Sequence, residues 1–453
     1  MFFTLFVMAT CTCIGFLALF LITGDLAKRG GLGRPARILL SAGLGMGVIA
    51  ISIKVLLVGV LMETTKDHHP EFADVERSGL EGVPGGFDGA SYTGRWYALP
   101  KAAPTPDGVR LRDDVVSLGR RLFNDRRLSA DGKVACASCH DIGAGGDDGR
   151  SVAAGIDGLQ GTRNVPTVWN AAFLSRLFWD GRAASLEEQA EGPLLNPVEM
   201  GMASHGAVEA AVRADPTYRD AFQQLFGGDA TIERIVSAIG SYERTLISPE
   251  TAYDRFVRGV TGALTTQQVR GMALFAGLGC RRCHRDPTFS AAGRIRPAGV
   301  RKPFPIFTNA DYVARYDLLA DRGASPRHGG DGPGLWRVPS LRNVANTAPY
   351  FHNGSVATLE EAVRVMAATQ LNRRPVTGAE DEVPSIIWDP ATRKLTPYRP
   401  KVLTAADIDA IVAFLRSLSI ERDDMGKVAG DKLRPRVAVF SETDSRISAN
   451  PLY

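Results

Sequence analysis

Two pentapeptides restrict this chain more than anything else in it: Cys136-Ala-Ser-Cys139-His140 and Cys280-Arg-Arg-Cys283-His284. In C-x-x-C-H, two thiols three positions apart reach both vinyl groups of one porphyrin, and the next residue offers an imidazole to its iron. The motif therefore predicts covalent c-type haem. A disulfide or half of a zinc site would use the same thiols, but a structural zinc ion needs four ligands. Neither pair has a second C-x-x-C or an H-x-H nearby. The two remaining cysteines, Cys11 and Cys13, lie in an apolar stretch without a histidine and read as buried bystanders.

The chain also repeats itself. At an offset of 173, Val165-Pro-Thr meets Val338-Pro-Ser, Asn170 meets Asn343, Gly181 meets Gly354, and Leu186-Glu-Glu meets Leu359-Glu-Glu, all without a gap. Each copy follows one C-x-x-C-H, so the body reads as a tandem of two haem domains. Ser185 and Thr358 stand where helix caps belong, with acids in the first turn after each. Thr265-x-x-Gln268 opens another helix, and Thr404 caps the amphipathic LTAADIDAIVAFLRSL. Strand-like alternation is scarce, and the fold expected is all-α: two cytochrome c-type haem domains, 111–262 and 263–420, after a helical hairpin (1–62) and a linker (63–110), with a tail at 421–453.

Where the copies differ, the irons should differ. A six-coordinate electron-transfer haem takes Met or His opposite its attached histidine. The second copy has Met366 on a helix, seven residues after Leu359; the first has Pro193 in that place, which carries no ligating atom. The expectation is a closed second haem that relays electrons and an open first haem that does small-molecule chemistry. Plain core packing is the alternative for Met366, and Met200, Met202, Met272 and Met425 compete with it. His68, His69, His205, His328 and His352 all remain candidates to close the first iron.

The net charge of +4 resides wholly in residues 1–62, where Lys28, Arg29, Arg34, Arg37 and Lys54 face only Asp25. The rest of the chain is neutral, which argues against a nucleic-acid footprint. Residues 1–24 are uncharged and 38–62 carry only Lys54; each is long enough to cross about 30 Å of hydrocarbon. A cleaved signal peptide would need a positive start and a small-residue cleavage site, and neither is present. With its charges in the loop 25–37, the hairpin should leave both ends and the body outside the cytoplasm. The expected location is the bacterial inner membrane with the haem domains in the periplasm.

On these residues the body resembles the bacterial dihaem cytochrome c peroxidase family, which includes MauG. The resemblance covers roughly residues 112–420 and rests on LFNDRRLSADGKVACASCH, RNVPTVWNAAF, LFWDGRAASLEEQAEGPLLNPVEM, VPSLRNVANTAPYFHNGS and LEEAVRVM. It implies that His140 is the proximal ligand of the peroxidatic haem, that Glu199 is the distal acid, that Gln189 and Pro193 line the distal pocket, and that Trp179 lies between the haems. It implies His284 and Met366 as ligands of the high-potential haem. A calcium site is implied at Asn164, Thr347 and Pro349, and oxygen ligands suit that cation. The segment GIDGLQGTRN has Ile156 near the place where many relatives carry a loop histidine. In MauG that loop histidine is also missing, but a tyrosine stands at the place of Met366.

The function expected is that of a peroxidase that reduces hydrogen peroxide with electrons from a small cytochrome c or a membrane quinol, working as a homodimer or within a membrane complex. Two other classes stand beside it: a MauG-like oxidase of a protein substrate, and a pure electron-carrying cytochrome subunit. The loops 291–335 and 372–402, the second containing Trp388, read as surface excursions or as a docking face for a donor.

Overall fold

The computed structural model describes residues 96–105, 111–325, 332–371 and 402–421, together with short strands at 374–375, 385–389 and 394–398. The two apolar stretches of 1–62, Cys11, Cys13, Lys54, His68, His69, His328, Met425 and the tail beyond 421 lie outside the described residues. No described helix is long and apolar enough to cross a membrane.

Two helix pairs carry the body. Helix Asp113–Phe123 buries Val115, Leu118 and Leu122 along one face, with Asp113 and Asp114 at its start and Arg120 and Arg121 in its last turn, both matched to the helix dipole. It packs on helix Ile232–Glu243. Helix Thr266–Gly277 packs in the same way on helix Ala405–Arg416. Each crossing is made by a glycine: a Cβ at Gly119 would sit 1.8 Å from the Ala238 carbonyl oxygen, and one at Gly271 would sit 1.8 Å from that of Ala410. Any side chain there would force the helices apart.

The first pair roots a core that includes Phe123, Ile235, Ile239 and Tyr242. Around the second, Tyr253, Phe275, Phe289 and Phe414 meet ring to ring, and Trp96 of the segment 96–105 closes the group. That segment is tied down by a hydrogen bond from the Leu99 N–H to Asp254, whose carboxylate forms a fully buried ion pair with Arg342.

The repeat seen in the sequence is a repeat of backbone. Asn170 and Asn343 both adopt left-handed φ, 64° and 61°, and each opens a 3₁₀ turn, Ala171–Phe173 and Val344–Asn346. Phe178 and Phe351 pair likewise at 62° and 69°. Helices Leu186–Leu195 and Leu359–Leu371 come next, with the Ser185 and Thr358 hydroxyls accepting from N–H groups of their first turns. The first helix stops at Asn196 because Pro197 disfavours a helical residue before it; the second runs on to Leu371.

The body is helix-rich rather than all-helical. Arg301–Phe304 pairs antiparallel with Gly334–Arg337, Ser385–Asp389 with Lys394–Tyr398, and Arg374–Pro375 runs parallel to Val402–Leu403. All of them lie in or beside the two enlarged loops. Long excursions must satisfy their own backbone groups, and two-stranded ladders do so locally.

Candidate functional site

Both C-x-x-C-H segments wind into a single tight turn that closes with the histidine N–H donating to the first cysteine's carbonyl, at 2.9 Å in each copy. The ring then makes the informative contact. His140 Nδ1 lies 3.1 Å from the Gly146 carbonyl oxygen, and His284 Nδ1 lies 3.1 Å from that of Phe289. A carbonyl can only accept, so Nδ1 carries the proton and Nε2 keeps its lone pair for a metal. Burial depresses both imidazoles, His284 to about 4, so both are neutral at working pH. The four described cysteines form no disulfide. Burial pushes the Cys136 thiol up to about 12 and Cys139 to about 11, which fits attachment points better than nucleophiles or zinc thiolates. Among the described residues, no group of three or more His, Cys, Asp or Glu side chains is gathered to hold a bare ion. Reduced thiol pairs beside imidazoles with Nε2 available are what covalent haem requires.

Glu199 lies within electrostatic reach of Cys139 in the first copy. It follows the helix Leu186–Leu195 in a turn set by Asn196, whose Oδ1 accepts from the Val198 N–H at 2.9 Å and whose Nδ2 donates to Glu199 Oε1 at 2.7 Å. Burial raises the Glu199 pKa; the Arg182 charge and the Asn196 hydrogen bond oppose that shift. The Cys139 thiol in turn feels the Glu199 charge. The loop 154–161 touches both: Ile156 N–H donates to the Glu199 carbonyl at 3.0 Å, and the Cys139 sulfur lies 3.8 Å from the Ala154 carbonyl. Ile156, at the place where the family resemblance points to a loop histidine in many relatives, is thus joined to Glu199 main chain to main chain, and its side chain reaches towards Gly201. Gln189 and Pro193 lie one turn apart on the same helix, both half-buried. Phe178 leans on that helix at Gly192, and Arg182 caps its ring at 3.5 Å.

Trp179 occupies the seam between the copies. Its indole N–H donates to the Asn164 carbonyl at 2.8 Å, and its ring meets His352 edge-on at 6.5 Å. Arg337 secures this stretch from the second copy, its backbone N–H donating to the Trp179 carbonyl and its side chain to that of Phe178.

Met366 is half-buried on its helix, between buried Val365 and Ala367. Met272 and Met200 are committed to the core. Among the histidines, His205 pairs with Glu191 and His352 lies at the seam. Asn164 is buried, with its Nδ2 turned to the Arg150 carbonyl, and Thr347 and Pro349 are half-buried. Sequence reasoning passed over Phe178, Arg182, Asn196 and Arg337. The one signal for Asn196 was the Asn-Pro turn; the others owe their place to long-range packing.

Comparison with known proteins gives one consistent result. The family model described as di-haem cytochrome c peroxidase matches residues 113–262. A cytochrome c551 peroxidase of Nitrosomonas europaea is 39% identical over 64% of this chain and 81% of its own length. The methylamine utilization protein MauG of Paracoccus denitrificans is 33% identical over 72% of this chain and 93% of its own. Among solved structures, a MauG-like protein associated with microbial copper homeostasis superposes with a TM-score of 0.56 at 30% identity, over 71% of this chain and 95% of that one.

Proposed function

The chain belongs to the di-haem cytochrome c peroxidase and MauG family, and from that premise we propose how its residues divide the work of a di-haem peroxidase. The overall reaction is H₂O₂ + 2 e⁻ + 2 H⁺ → 2 H₂O. When bound, the two haems supply redox chemistry and electron storage. His140 and His284 would each hold an iron through Nε2, and Met366 would be the further ligand of the second haem, while Pro193 at the matching place in the first copy offers none. Glu199 takes the proton from one peroxide oxygen and returns it to the other, so that O–O cleavage releases water instead of hydroxide. A positioned acid–base group of this kind contributes on the order of 10²–10⁴ in rate. Gln189 and Pro193 bound the distal space, and Trp179 carries electrons between the two haem domains, 111–262 and 263–420.

The observation that carries this reading is Glu199 itself: half-buried, with its pKa raised by that burial, held by the Asn196 amide at 2.7 Å, and within electrostatic reach of Cys139. The test is Glu199→Gln. Both haem spectra should persist while peroxide turnover collapses; unchanged peroxide consumption would reject the role.

A MauG-like oxidation of a protein substrate is a second reading, supported by Ile156 in the loop against Glu199 and opposed by Met366. Donor oxidation by peroxide with no protein substrate present would separate the two. Residues 1–62 are proposed as a membrane anchor for a periplasmic body fed by a small cytochrome c or a quinol, alone, as a homodimer or in a membrane complex; their composition supports this. Calcium at Asn164, Thr347 and Pro349 belongs to the same proposal, and its test is loss of donor-driven turnover on chelation with recovery on adding the ion back.

A further inference from the structure

Beyond Trp179, a second tryptophan occupies the seam with no part in the reaction described above. Trp336 stacks on His352 with ring centroids 4.1 Å apart and an interplanar angle of 22°. His352 in turn meets Trp179 edge-on at 6.5 Å. Three aromatic rings thus run in contact from the inter-haem position to Trp336. The last ring is 5% exposed, and its indole nitrogen has no hydrogen-bond acceptor among the described residues. The buried Nε2 of His352 is likewise without a hydrogen-bond partner among the described residues, so this stack is not a network built for polar satisfaction.

We propose that Trp336 is an auxiliary one-electron donor to the peroxide-oxidised first haem site, reached through His352 and Trp179. The inference rests on the peroxidase reading and on Trp179 as the inter-haem ring. Peroxide requires two electrons and two protons to become two waters. When no external donor is at hand, the haem site would supply one electron, solvent the two protons, and the Trp336 indole the second electron, leaving the indole a radical cation. Among the described residues none is placed to accept its N–H proton, so the ring is written as the cation, and burial shields it from water. The oxidising equivalent is parked on an indole away from the distal pocket.

Charge around the ring bears on this. The Arg163 guanidinium lies 5.2 Å from the Trp336 ring and by itself would resist a positive charge there. It is held by Asp321 at 2.6 Å and Asp180 at 2.7 Å, and Asp180 also binds Arg182, so the four charges sum to zero. Burial keeps the His352 imidazole neutral, with its pKa down to about 4, so the ring between the two indoles adds no opposing charge.

The test uses the full chain carrying both haems, mixed with hydrogen peroxide without donor, frozen rapidly and examined by electron paramagnetic resonance. The expected result is an organic-radical signal that narrows when the tryptophans are ring-deuterated and is lost in Trp336→Phe, whose haem absorption persists. Trp336→Tyr, which restores an oxidisable ring, should return a radical with tyrosyl couplings. A signal unchanged in Trp336→Phe, or no radical in the parent enzyme, overturns the proposal. Donor-driven peroxide turnover of the parent enzyme, measured in parallel, reports on the peroxidase reading separately.

Discussion

Trp179 and His352 are the same position in the two copies of the repeat, 173 residues apart, and their rings meet edge-on at the seam, 6.5 Å between centroids. The backbones around them exchange hydrogen bonds under the same symmetry. Asn164 N–H donates to the His352 carbonyl at 2.7 Å, and Arg337, the counterpart of Asn164, donates to the Trp179 carbonyl at 2.9 Å. A pseudo-twofold contact thus brings one ring from each half to a place that both halves reach equally. Reciprocal contacts of this kind are what self-complementary interfaces produce between identical subunits.

Asn196→Ala should move the acid limb of the peroxidase pH profile upward. The amide of Asn196 hydrogen-bonds Glu199 and holds its pKa down against burial, which raises it. Without that bond the carboxyl loses its proton only at higher pH, and as a base it must be ionised to accept the peroxide proton. The pH dependence of kcat/KM checks this. A limb that stays put would remove Asn196 from any part in tuning the acid.

Met366→Ala should open the second iron. A thioether lost from a six-coordinate haem leaves five ligands or admits water, which raises the high-spin content and lowers the reduction potential. Absorption, spin resonance and potentiometry of the second haem read this directly. If its spectrum and potential are unaffected, Met366 is core packing and nothing more.

Arg342→Met should destabilise the body by about 3–5 kcal/mol, because it strands Asp254 as an unpaired buried charge. Both partners are essentially inaccessible and the contact is doubled, at 2.6 and 2.8 Å. Asp254 also anchors the Leu99 N–H, so the segment 96–105 should gain protease sensitivity. Denaturant unfolding of the holoprotein measures the first effect and limited proteolysis the second.

Glu243→Gln should flatten the dependence of stability on pH between about 5 and 8. Burial raises the Glu243 carboxyl to about 8, and one of its oxygens has no hydrogen-bond partner among the described residues. Its folded pKa therefore stands above the unfolded value of 4.5, so the native state binds the extra proton between the two. The resulting stability is complete below the unfolded pKa and lost as pH rises through the folded one, amounting to on the order of a few kcal/mol by the usual linkage. Melting temperature against pH should fall between pH 5 and 8 in the parent, roughly the window these two values define, and fall less in the variant.

The sequence by itself determined the two C-x-x-C-H turns, the register of the repeat and the helix caps at Ser185, Thr265, Thr358 and Thr404. All of these are local: a C-x-x-C-H turn, an N-cap or a left-handed asparagine is specified by residues within one or two turns of chain. It also showed where the two copies diverge, at Pro193 and Met366. Tertiary structure decided the remainder. That Glu199 is half-buried while its neighbour Pro197 is exposed depends on the loop at Ile156 folding over it. The joining of Trp179, His352 and Trp336, and of Arg342 with Asp254, spans from 16 to 173 positions of chain. The short strands escaped notice for a related reason: a two-stranded ladder is selected by the partner available to it, and the partner is fixed only once the helices have packed.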